Sequence, residues 1–154
     1  MTIQLSDYQV VARDWLLGRN SRILADSPGV GKSYPAIAAM AHVSDVGPHL
    51  LVVPAYLISN WVAMLNAWGE TDIVALVGDK RQKLRDLQDH HKWTVCSYHL
   101  IQQAEYKPIV IRKKWVSVTY DEAHRLRGRN SNWTKVAWAL QPLTPYTWML
   151  TGTP

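Results

Sequence analysis

The run Ile23-Leu24-Ala25-Asp26-Ser27-Pro28-Gly29-Val30-Gly31-Lys32-Ser33 constrains this chain more than any other stretch. A short apolar segment enters a glycine-bearing turn, and Lys32-Ser33 opens a helix-like run from Tyr34 to His42. Strand, glycine turn and Lys-Ser at a helix start make the layout of a phosphate-binding loop. Gly29 and Gly31 permit backbone turns that a Cβ would block. The loop N–H groups can then face phosphate oxygens at a helix N-terminus, where four donors lack partners and the dipole is positive. In that layout Lys32 neutralises the outer phosphates and the Ser33 hydroxyl takes a Mg²⁺ ion. Pro35 falls in the first helical turn, where its missing N–H costs little. Asp26 stands where the strict pattern has Gly, so the loop is a relaxed form. Taken alone, it is as compatible with a chance Gly-Lys-Ser turn.

The hydrophobic periodicity places the loop in a wider frame. Helical spacing covers residues 5–17, 33–43, 56–68, 80–92, 98–104 and 132–140. Short apolar runs at 23–25, 49–53, 73–77, 93–97, 115–120 and 146–150 read as strands. Short strands alternating with helices predict an α/β fold with a mostly parallel sheet. Ligands of such sheets sit at the C-terminal ends of the strands. Three groups fall there: the phosphate loop, Asp121-Glu122, and Thr151-Gly152-Thr153. The chain has 154 residues, 47% of them apolar, which suits one domain with a real core. Neither a signal peptide nor a membrane span is expected, since no apolar run reaches the ~18 residues a span requires. Cys96 is the only cysteine, so no disulfide framework exists and a reducing cytosol is the natural setting. Eight tryptophans with no phenylalanine is unusual, and the sequence offers no physical reason for it.

Two further groups carry chemistry. A carboxylate at a strand end facing the phosphate loop can hold a metal through water, which is Asp121. A second beside it can orient or deprotonate a water, which is Glu122. A solvated acidic turn is the plainer reading of Asp-Glu in isolation, and the upstream phosphate loop reverses it. Near the N-terminus, Tyr8 and Gln9 precede the loop, and Gln9 can offer both a donor and an acceptor to adenine. An exposed helix glutamine explains that residue equally well. The net charge is +5, with clusters at Lys80, Arg81, Lys83 and Arg85, at Arg112-Lys113-Lys114, and at Arg125, Arg127 and Arg129. Such patches pair with phosphates or are simply solvated surface. The last cluster, directly after the acidic motif, is the best candidate for contact with a partner. Trp61, Trp68, Trp133 and Trp138 read as core or interface residues rather than base-stacking platforms.

Five blocks in order resemble the first RecA-like lobe of superfamily-two helicases and translocases: Leu5-Ser6-Asp7-Tyr8-Gln9; Ala25 to Ser33; Leu51-Val52-Val53-Pro54 with Ser59-Asn60-Trp61; Asp121-Glu122-Ala123-His124; and Leu150-Thr151-Gly152-Thr153-Pro154. Within that superfamily the chain looks most like the Swi/Snf-type DNA translocases. The resemblance implies a RecA-like phosphate-loop lobe over residues 1–154, binding ATP and Mg²⁺. It implies that Tyr8, Gln9, Pro28, Gly29, Val30, Gly31, Lys32 and Ser33 contact the nucleotide. Ser33 and Asp121 would serve the metal, and Lys32 and Glu122 the chemistry. His124, Thr151 and Thr153 would couple nucleotide state to DNA grip. Pro54, Asn60, Ser97, Tyr98, Arg125, Arg127 and Arg129 would face DNA, double-stranded by family expectation. The family carries a second RecA-like lobe with arginine fingers, and these residues match only the first. The resemblance therefore implies a half-helicase, weak or inactive alone, completed by a separate polypeptide or by self-association. A non-hydrolysing DNA- or partner-binding module is the alternative. A free-standing lobe of this kind would suit a phage genome and the host cytoplasm.

Overall fold

The computed structural model describes residues 3–27 and 31–152. Six strands form one sheet in the order β1-β6-β5-β2-β4-β3, and every neighbouring pair is parallel. They are β1 (Ser21–Ala25), β2 (His49–Val53), β3 (Ile73–Ala75), β4 (Trp93–Ser97), β5 (Ser117–Tyr120) and β6 (Tyr146–Thr151). Seven α-helices alternate with them: α1 (Asp7–Leu17), α2 (Ser33–Val43), α3 (Ile58–Trp68), α4 (Lys80–Gln88), α5 (Tyr98–Gln102), α6 (Lys107–Arg112) and α7 (Asn132–Leu140). The expected α/β architecture is thus present. Among the described residues no helix is long and apolar enough to cross a membrane.

Successive strand side chains point to opposite faces, so each strand feeds two cores. Leu51 and Val53 join Trp61, Trp93, Trp148 and Leu150 under α1, α2 and α3. Leu50 and Val52 join Val118, Tyr120, Val136 and Leu140 under α5, α6 and α7. A parallel sheet covered on both faces explains why β2 is buried throughout, with no polar alternation. Local signals fix the ends of the helices. Ser6 accepts from the N–H of Gln9 while the Gln9 side chain returns to Ser6, a reciprocal cap on α1. Asp79 and Ser131 cap α4 and α7 in the same way, each accepting a backbone N–H.

Several boundaries differ from the sequence expectation. The helix expected over 80–92 stops at Gln88, because Asp72 and Glu70 take His91 and Lys92 into side-chain bonds beyond it. The strand expected over 73–77 ends at Ala75. The helix expected from residue 56 begins with a 3₁₀ turn over Ala55–Leu57 and becomes α-helical at Ile58. No element was expected over 107–112, where α6 forms with Pro108 in its first turn, the one helical site that tolerates it.

His49 shows how polar groups are accommodated inside. It is wholly buried, with Nδ1 2.8 Å from the Ser117 hydroxyl, Nε2 3.0 Å from the Ser44 carbonyl and its ring 4.7 Å from that of Trp93. Burial pushes its pKa down from 6.5 to about 4. The depressed value means stability that is present above pH 6.5 and lost as the pH falls toward 4. The loss amounts to ~2 kcal/mol by pH 5. Urea unfolding of wild type and His49→Asn at pH 7 and pH 5 measures it. The acid-side decline should shrink by about that amount in the variant, and an unchanged decline would remove His49 as its source.

Candidate functional site

The parallel order brings the three chemistry-bearing segments to one edge of the sheet. Ala25 pairs with Thr151, and the Asp26 N–H donates to the Thr151 carbonyl at 3.1 Å. Tyr120 pairs with Val52 on one side and Met149 on the other, so Asp121 leaves β5 between β2 and β6. The phosphate loop, Asp121-Glu122 and Thr151 therefore share the C-terminal edge, where ligands of open α/β sheets bind.

Lys32 stands at the start of α2, and its ammonium donates to the carbonyls of Asp26 at 2.8 Å and Ser27 at 3.0 Å. The loop's own backbone thus centres the cation. Gly31 has φ +78°, and a Cβ there would lie 2.9 Å from the Gln9 amide nitrogen. That amide donates to the Gly31 carbonyl at 3.3 Å, so α1 is tied to the phosphate loop through Gln9. Tyr8 is exposed one residue before it. Ser33 is the first residue of α2 and is partly buried. Pro28, Gly29, Val30 and Thr153 lie outside the described residues.

Asp121 is held from four directions. One carboxylate oxygen accepts from the Trp61 indole N–H at 2.9 Å and the other from the Glu122 N–H at 2.9 Å. Its own N–H donates to Val52, and its carbonyl accepts from the Tyr98 hydroxyl at 2.6 Å. Burial holds its carboxyl pKa above the ordinary carboxylate value, the Trp61 and Glu122 N–H bonds and the nearby Lys32 charge oppose that only in part, and the Glu122 carboxylate adds to it. Glu122 follows in the left-handed region at φ 51°, ψ 47°. A non-glycine residue there costs about 1–2 kcal/mol, strain of the kind that gathers at functional sites. Its carboxylate lies 3.1 Å from Nδ1 of His124. Both side chains are about one-third exposed, so the contact orients rather than stabilises.

Among the described residues no group of three or more His, Cys, Asp or Glu converges as a metal cage. One partly buried carboxylate, Asp121, and one serine hydroxyl, Ser33, are hard oxygen donors. They fit Mg²⁺, which keeps waters and takes phosphate oxygens rather than an all-protein cage.

The residues expected to face DNA divide. Asn60, Arg127 and Arg129 are exposed, and Arg125 is partly buried. Pro54 is buried, because it closes β2 and its carbonyl accepts from Leu57 in the 3₁₀ turn. The exposed groups of that loop are Ala55, Tyr56, Ser59 and Asn60, with Tyr56 71% exposed. Ser97 uses its hydroxyl to cap α5 by accepting from Leu100. Tyr98 is 2% exposed, with its hydroxyl committed to Asp121. Both are thus occupied in holding the site, Tyr98 directly. Trp61 and Trp133 belong to the core, Trp68 stacks on Tyr34, and Trp138 is 55% exposed.

A six-stranded parallel sheet with Gly31-Lys32-Ser33 after β1 and paired carboxylates after β5 is the architecture of a RecA-like lobe. The family described as SNF2-related domain matches residues 8–154, and the chain belongs to it. Helicase swr1 of Emericella nidulans is 35% identical across 97% of this chain and 9% of its own length. The human SWI/SNF-related matrix-associated actin-dependent regulator of chromatin subfamily A member 1 is 30% identical across 97% of this chain and 15% of its own. The Sulfolobus solfataricus SWI2/SNF2 ATPase core, solved in complex with dsDNA, superposes with a TM-score of 0.84 at 22% identity. That match takes in 100% of this chain and 33% of the other. The chain therefore spans a minor part of each of these relatives and corresponds to the N-terminal lobe of the family's core.

Two variants test the geometry. Trp61→Phe removes the indole N–H and also part of the ring volume at a buried site, so unfolding should become easier by at least about 1.5–3 kcal/mol, the cost of a lost bond to a charged acceptor. A smaller loss in denaturant melts would mean that the bond is not formed. Glu122→Gly should relieve the left-handed strain and raise unfolding stability by about 1 kcal/mol. A fall in stability would contradict the strain.

Proposed function

We propose that this lobe binds Mg-ATP and duplex DNA as the N-terminal half of a DNA-dependent ATPase of the translocase type. The observation that carries the reading is the meeting of the Lys32 ammonium, the partly buried Asp121 and the strained Glu122 at one sheet edge. The phosphate-loop backbone and Lys32 would hold the triphosphate, with Lys32 exchanging its two loop carbonyls for phosphate oxygens. Ser33 and Asp121 would hold the metal, which supplies charge neutralisation on the phosphates when bound. Glu122 would orient and deprotonate the attacking water, with His124 beside it. Thr151, paired with Ala25 at the end of β6, would transmit nucleotide state across the sheet. Gln9 would read adenine, with Tyr8 beside it. The DNA-facing surface would comprise Asn60 and Tyr56 on one loop and Arg125, Arg127 and Arg129 on another.

Efficient turnover needs a second RecA-like lobe across the cleft, carried on the same polypeptide or another, because arginine fingers contribute about 10³–10⁵ in related hydrolases. The family membership and the superposition on an ATPase core support this division of labour.

ATP hydrolysis by the purified chain, with and without duplex DNA and with and without a second-lobe polypeptide, tests the reading. Turnover should be low alone and should rise by at least about 10³-fold in the complete assembly with DNA. Lys32→Ala should abolish binding of a fluorescent ATP analogue, whereas Glu122→Gln should retain binding and lose turnover. Analogue binding that survives Lys32→Ala, or DNA binding unaffected by charge reversal of Arg127 and Arg129, would overturn it.

A further inference from the structure

A second surface lies at the opposite edge of the sheet. The segments entering β5 and β6, 111–116 and 143–145, run side by side there, joined by the Tyr146 N–H donating to the Val116 carbonyl. Between them is a groove of about 550 Å³. Ile111, Val116, Leu143 and Pro145 make its apolar part, and Leu143 is 58% exposed. Arg112 and Lys114 are the exposed cations of its rim.

The three basic residues here do different things. Lys113 is structural. Its ammonium donates to the carbonyls of Leu87 at 2.9 Å and Asp89 at 2.7 Å, and it lies 4.9 Å from the Trp115 ring centre. It closes the C-terminal end of α4 and is not available to a ligand. Arg112 and Lys114 have no hydrogen bond or ion pair among the described residues. They are solvated charges beside an uncovered apolar groove, with the strands' length between them and the nucleotide edge. Neither feature is used by the proposed ATPase chemistry.

We infer that this groove is a docking site for an acidic, apolar-anchored peptide segment of a partner protein. The pairing follows from complementarity. Carboxylates of the segment meet Arg112 and Lys114, and an apolar side chain covers Leu143 and Val116. Rim charges of this kind set the encounter rate and its salt dependence, while the apolar anchor sets the residence time. Nucleic acid fits the surface less well, because a phosphate backbone satisfies the two cations and leaves the apolar floor uncovered. The inference does not rest on the ATPase reading.

The test uses the whole chain and a fluorescein-labelled short peptide alternating Glu with Leu and Phe, followed by anisotropy in low salt. A scrambled-charge peptide with Lys in place of Glu is the control. The acidic peptide should bind and the basic one should not. Arg112→Glu with Lys114→Glu should weaken binding by at least about tenfold, and Leu143→Asp by a similar factor. Lys80→Glu with Arg81→Glu, on the separate basic face of α4, should leave it unchanged. All of these positions are exposed, so thermal melts should show each variant folded. Absence of binding by the acidic peptide overturns the inference. So does binding that is indifferent to Leu143→Asp, which would mark plain charge attraction. Loss of duplex DNA affinity in the Arg112/Lys114 variant, with DNA displacing the peptide, would instead make the patch a nucleic-acid surface and also overturn it.

Discussion

Six strands running in one direction force every loop that follows a strand onto the same edge. The order β1-β6-β5-β2 does the rest, because it places the phosphate loop, Thr151 and Asp121 on consecutive strands. No segment needs to bend to reach the site. The Asp26 N–H bond to Thr151 and the Asp121 N–H bond to Val52 continue the ladder one step beyond its regular end. The cost of this architecture is a sheet that must be covered on both faces, and the chain meets it with two cores of similar size. The site therefore inherits its rigidity from β2, β5 and β6, whose residues are mostly buried, while β1 is a largely exposed edge strand.

Tryptophan is the means by which the helices are registered on that sheet. The Trp148 indole donates to the Leu16 carbonyl at 2.9 Å, tying β6 to α1. The Trp15 indole donates to Ile23, and the Trp115 indole to Val110 at the end of α6. The Trp61 indole reaches from α3 to the Asp121 carboxylate. Each is a large apolar body with one donor at its rim, filling space and fixing direction together. Phenylalanine would fill only part of the same space and make none of these bonds. The absence of Phe and the abundance of Trp thus have a physical consequence here: several of the polar ties between helices and sheet come from indole N–H groups.

Much of this was legible in the sequence, and the boundary of what was legible has a reason. Patterns of period two and near four gave the six strands and most helices, and the motifs landed on the edge expected for them. Pro108 hid α6 because a proline reads as a breaker until its place in the first turn is known. Pro54, Ser97 and Tyr98 were expected to face DNA only by resemblance to the family, which matches segments of chain. That argument places a backbone and does not say which way a side chain turns. Tyr98 turns inward to Asp121, and Pro54 packs beneath its own loop. Trp61 was legible as a core residue but not as a partner of Asp121, since a contact across 60 positions leaves no local signature.

Gln9 shows how one short side chain can serve the fold and the proposed chemistry together. Its Oε1 accepts from the Ser6 N–H at 3.1 Å and its Nε2 donates to the Gly31 carbonyl at 3.3 Å. An amide has two N–H donors and two acceptor lone pairs, so each of these bonds uses half of its group's capacity. One donor and one lone pair remain, the complement that an adenine edge presents. Reading the base and shaping the phosphate loop would then fall to the same rigid plane. A base seated on Gln9 would hold α1 and Gly31 in place, and Gly31 in turn sets the turn that positions Lys32. In the proposed function, adenine contact at one end of the nucleotide and phosphate contact at the other are therefore mechanically connected through a single side chain. The absence of a Cβ at Gly31 is what lets the amide approach closely enough to make that connection.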